Sequence, residues 1–130
     1  MRGGACGAGG TGSSVRPMDG IDMDGRVLYS PDAVEGGEVG PDTEFRFRQS
    51  EDMVWGRYSG GGIRMGFLVG TSDGSTLRFR YTQLNTAGAT ASGASVDRIE
   101  VLGDGRVRLH EQWAWDSREG SGTSVLEERR

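Results

Sequence analysis

The chain has 130 residues and a formal charge of −4, with 34% hydrophobic and 26% charged residues; this makes one lean domain and excludes a two-domain enzyme, because separate cores arise only at about twice this length. All 15 basic residues are arginine, so lysine Schiff-base, lysine general-base and phosphate-loop chemistries are absent. One Cys and one His cannot assemble the usual zinc ligand sets or an internal disulfide, and the interleaved charges of both signs speak against a nucleic-acid partner.

Residues 1–23 show no period of 2 or 3.6 and almost nothing to bury, so they read as a flexible Gly-rich tail ahead of a β-barrel domain at 24–130. Within the tail, Gly7 to Gly12 match G-x-G-x-x-G, but no strand precedes them and no helix follows, so the match carries no dinucleotide site. Cys6 reads as an exposed thiol. The chain has no run of 18 apolar residues and no hydrophobic stretch of the secretory kind, so the default expectation is a cytoplasmic protein with no membrane partner.

From Asp24 onward, short alternating runs recur about every ten residues between turn clusters. They predict eight strands, at 24–30, 43–49, 52–59, 62–71, 75–84, 89–102, 105–116 and 121–128. No stretch longer than a turn has helical spacing of apolar residues, so parallel crossovers are excluded and the sheet must be antiparallel. Short joints make it a meander. Closing the first strand on the last removes two edges and hides the apolar face, which predicts an all-β, eight-stranded, up-and-down barrel.

Strand parity then sorts the faces. Phe45 with Phe47, and Leu77 with Phe79 and Tyr81, face inward, while the arginines between them face solvent. On the fourth strand Ile63, Met65, Phe67 and Val69 form the apolar side against Arg64, Gly66 and Leu68. The seventh strand sets Val107, Leu109, Glu111, Trp113 and Trp115 on one side and Arg106, Arg108, His110 and Gln112 on the other. Glu111 therefore lies on the apolar side, where an ionised carboxylate requires a partner. Tyr58 and Gln83 lie inward by the same parity. Trp55 has the opposite parity to Tyr58 and caps the barrel from outside. The expected lining is thus Tyr58, Tyr81, Gln83 and Trp113, with Glu111 as the one candidate for proton transfer.

Several segments also resemble a known family. They are Tyr58-Ser59-Gly60-Gly61, Gly66-Phe67-Leu68-Val69-Gly70, Leu77 to Tyr81 with Asn85, Asp104 to Trp115, and Ser121 to Glu128. Their pattern is similar to that of small bacterial proteins of about 110 residues, often labelled N-acetylglutamate synthase, and it covers about residues 24–128. The resemblance implies a compact calycin-like or avidin-like barrel and carries no catalytic residue with it. Acetyl transfer from coenzyme A would call for a pyrophosphate-binding loop at a helix start or an amino-acid-kinase domain, and a strand meander offers neither.

Three functions fit these readings. The first is binding of a small, partly apolar molecule inside the barrel, with no cofactor. The second is an isomerase or cyclase in the same cavity, with Glu111 as general acid or base. The third is a solid barrel acting through its surface as an interaction module. A homo-oligomer is compatible with all three.

Overall fold

A computed structural model describes residues 20–34 and 37–130. Of the expected tail over 1–23, residues 1–19, with Cys6 and the glycine motif, lie outside the described residues. Among the described residues there are eight strands: β1 (Val27–Tyr29), β2 (Glu44–Ser50), β3 (Met53–Gly60), β4 (Ile63–Ser72), β5 (Thr76–Asn85), β6 (Thr90–Val101), β7 (Val107–Trp115) and β8 (Ser121–Glu128). Each pairs antiparallel with the next, and β1 pairs with β8 to close the barrel. The up-and-down architecture follows from the alternation of apolar and polar residues joined by short turns.

The closing seam is narrow. Only Leu28 with Glu128 and Tyr29 with Glu127 are in register there. It is reinforced by the Arg129 amide donating to the Val27 carbonyl at 2.9 Å and by an Arg26–Glu128 ion pair at 2.7 Å. After Tyr29 the chain leaves the wall, and the described residues 30–34 and 37–43 (loop 30–43) belong to no strand. That loop is pinned to one end of the barrel, where Thr43 Oγ1 donates to the Gly60 carbonyl at 3.0 Å.

The opposite end is plugged. Ile21 donates its amide to the Gly74 carbonyl at 3.1 Å, and the Met23 amide donates to Gln49 Oε1 at 2.9 Å. Met23 is 0% exposed and packs in the main core with Leu28, Phe47, Val54, Leu77, Leu109 and Leu126. The packed chain therefore includes residues that alternation alone places in the tail. A lone methionine among polar neighbours has no period to betray it.

One face assignment is corrected. On β4 the register against β5 shifts between Ile63 and Met65, so Arg64 and Met65 both face outward and the alternation after them is inverted. Gly66 and Leu68 are buried, whereas Met65 is 43%, Phe67 50% and Val69 57% exposed. A bulge inserts one extra residue and flips every later side chain. Trp55, on the outward face of β3, is half-buried beside Val69 in the pairing.

Candidate functional site

Several inward aromatic rings lie along the wall over a glycine on the neighbouring strand. Tyr58 faces Gly66, where an added Cβ would come within 2.3 Å of its ring, and Trp113 faces Gly122, where the approach would be 2.8 Å. Tyr81 lies over Gly93 in the same way. The missing side chains give the rings a bed, so the rings cover the wall and leave room near the axis.

Between the rings and loop 30–43 is an internal cavity of about 50 Å³. All five sequence-predicted residues, Tyr58, Tyr81, Gln83, Glu111 and Trp113, border it. Phe45 stacks on Tyr58 with ring centroids 4.5 Å apart, and Trp113, Trp115 and Tyr81 meet edge to face. Val34, Gly37, Glu38 and Val39 close the cavity from the loop side.

The polar groups fall into two sets. At the mouth, Tyr58 donates to Gln83 Oε1 at 2.7 Å, Gln83 Nε2 donates to Glu38 Oε1 at 2.9 Å, and Asn85 Nδ2 donates to Glu38 Oε2 at 2.7 Å. Arg118 lies 4.3 Å above the Trp115 ring and 3.9 Å from Glu38 Oε2. This chain of contacts ties the loop to the barrel rim. Burial raises the Tyr58 phenol, helped by Tyr81 and the carboxylates Glu111 and Glu38. Burial also pushes Tyr81 up to about 12, with Glu111 and Asp97 acting in the same direction and Arg118 against them.

The deeper set consists of two carboxyls. Asp97 on β6 is the register partner of Glu111 on β7 and is 0% exposed. The Ser95 hydroxyl donates to Asp97 Oδ1 at 2.5 Å, and the Ser124 hydroxyl donates to Glu111 Oε1 at 2.9 Å. Burial first, and then the charge and hydrogen bond of Glu111, hold the Asp97 carboxyl well above the usual carboxylate range. Asp97 Oδ2 and Trp113 Nε1 are buried with no hydrogen-bond partner. A proton on Asp97, shared with Glu111, accounts for the first of these, because two ionised carboxylates side by side repel each other.

Asp97, Ser95, Ser124 and Glu38 are therefore site residues that the strand reading passed over. Asp97 had a signal: it shares parity with Ala91, Gly93, Ser95 and Ile99. Glu38 had none, because loops have no period. His110 lies outside the lumen, half-exposed, with Nε2 2.7 Å from Glu100 Oε1. A broad open groove of about 800 Å³ beside residues 30–34 is bordered by the outward-facing Arg78, Arg98 and His110 and also by Glu111 and Ser124.

Among the described residues there is no cluster of His, Cys, Asp and Glu that could hold a metal ion, and no helix long and apolar enough to cross a membrane. An eight-stranded meander closed on itself, plugged at one end and holding an aromatic-lined polar cavity towards the other, is a calycin-like barrel. Residues 21–129 match the family described as Avidin-like protein, and the chain belongs to it. No curated protein and no solved structure matches the chain.

Proposed function

We propose that this protein binds a small, partly apolar molecule in its lumen, admitted at the end covered by loop 30–43. The observation that carries the reading is the convergence of Tyr58, Tyr81, Gln83, Glu111 and Trp113 on one cavity while Met23 and Ile21 plug the far end. About 50 Å³ holds one or two water-sized groups. A larger ligand enters by displacing Val34, Glu38 and Val39, which sit in the mouth. Coenzyme A is far too large for this cavity, and the described chain offers no helix start for its pyrophosphate, which supports binding over acetyl transfer. Native mass spectrometry of protein purified from its own host tests the reading. A retained small molecule, lost when Trp113 is replaced by Ala, is the expected result.

The Asp97–Glu111 pair favours a second reading, catalysis. A carboxyl that keeps its proton beside one that can accept a proton is a general acid–base arrangement suited to an isomerase or cyclase. Glu111→Gln abolishing turnover of a retained compound would select this reading over simple binding.

We further propose that copies of the chain meet through the outer face of β3 and β4, where Met53, Met65, Phe67 and Val69 leave an apolar stripe in water. Light scattering of wild type against a Phe67→Ser, Val69→Thr variant tests this, with a lower mass expected for the variant.

A further inference from the structure

The chemistry of the lumen's deep end narrows the class of ligand. The inward positions of β5 to β8 carry aliphatic side chains, aromatic rings, serines and three carboxyls, Asp97, Glu111 and Glu128, the last paired with Arg26 at the plugged end; every arginine on these strands has outward parity. Arg78 and Arg98 border the open outer groove that Glu111 also borders, and Arg118 stands at the rim over Trp115 and near Glu38. Arg118 is an exposed side chain, separated from the Asp97–Glu111 pair by the Trp113 and Trp115 layer. Among the described residues neither Asp97 nor Glu111 forms an ion pair with an arginine, and Glu111 is half-buried. A partly desolvated carboxyl with no cationic partner gains from a positive group brought to it. The rings point the same way: Trp113, Trp115, Tyr81 and Phe79 present π surfaces to the cavity, and such surfaces attract cations.

From this geometry we infer that the lumen is an amine-recognition site: a small molecule with an ammonium head donates to Glu111, which Asp97 backs, while its apolar body lies among the rings. Asp97, fully buried, lies behind Glu111 and is hydrogen-bonded to it, so Glu111 is the carboxyl of the pair that borders the cavity. Glu111 supplies the acceptor, its Oε1 already receiving the Ser124 hydroxyl. The other titratable groups facing this space are Tyr58, Tyr81 and Glu38. Both phenols are held neutral by their surroundings, and Glu38 adds negative charge at the mouth. An ammonium head of one or two heavy atoms fits the present volume, and a longer body follows the path through the loop. This inference rests on the proposed lumen site and specifies what occupies it.

The test uses the full chain near pH 7 with three probes of one shape: benzylammonium, benzyl alcohol and benzoate. Binding is read by calorimetry and by the fluorescence of the tryptophans. Benzylammonium is expected to bind about tenfold or more tightly than benzyl alcohol, with benzoate weakest. Because Glu111 is the acceptor and Asp97 backs it, Asp97→Asn alone should keep most of this preference, while Glu111→Gln and the double variant should lose it. If benzyl alcohol or benzoate binds as well as the amine, the lumen is a binding site but the amine assignment is wrong. If none of the probes binds, the lumen site and the amine assignment both fall. Undiminished amine binding by the double variant also overturns the assignment. Should the double variant not fold, the ranking of the three probes on the wild-type chain decides the matter.

Discussion

Asp97 and Glu111 stand directly opposite each other on β6 and β7, and both carboxyls turn into the barrel. The pairing makes stability depend on pH in an unusual direction for a carboxylate. Asp97 has a raised pKa in the folded state, so between its ordinary value near 3.8 and its folded value the native chain holds a proton that the unfolded chain has released. Stability from this group is greatest below that window and is lost as pH rises through it, by at most about 1.4 kcal/mol per pH unit. Asp97→Asn keeps the shape and removes the titration. Urea unfolding at a series of pH values should show the variant gaining stability over wild type as pH rises from 4 to 8, and parallel profiles would refute the assignment.

The contrast between what strand parity revealed and what it missed follows from where periodicity exists. Phe45, Phe47, Leu77, Phe79, Glu111 and Trp113 sit on long strands with unbroken registers, so alternation alone orients them. The same rule misplaced Phe67 and Val69 because the bulge after Ile63 is a backbone event that no side-chain pattern announces. Asp97 was readable from its own strand, yet its meaning depends on facing Glu111, which requires the register of two strands. Glu38 comes from a loop, and only the folded position of Gln83 and Asn85 explains it.

Glu38 fastens the loop to the barrel, and its removal should open the mouth. The carboxylate accepts from Gln83 and Asn85; hydrogen bonds to a charged group contribute about 1.5–3 kcal/mol each when buried, and partial exposure lowers this. Glu38→Ala is expected to cost about 1–3 kcal/mol and to speed amide exchange at Val39 and Thr43. Binding of any lumen ligand should become faster. Unchanged exchange at those amides would show that Glu38 does not hold the loop.

Met23 shows that the folded unit reaches upstream of β1. Its side chain is fully buried in the plug, and Met→Ala changes in such places cost about 2–5 kcal/mol. A chain beginning at residue 20 should therefore melt like the full chain, while one beginning at residue 24 should melt well below it. Met23→Ala in the full chain should reproduce most of the second loss. Equal melting temperatures for the two truncated chains would show that the plug contributes nothing to the fold.

The bed of glycines beneath the rings yields a prediction about both shape and binding. An added methyl at Gly122 would approach the Trp113 ring to 2.8 Å, a distance at which something must move. The ring is the movable partner, and the displacement it can make is toward the axis, into the cavity. Gly122→Ala should thus cost about 1–3 kcal/mol from overpacking, lower the affinity of any lumen ligand, and shift the tryptophan emission. Gly103→Ala, where nothing lies within 4 Å, is the control and should leave binding unchanged. A Gly122→Ala protein that is destabilised but binds with wild-type affinity would show that Trp113 is a packing residue of the wall and takes no part in shaping the site.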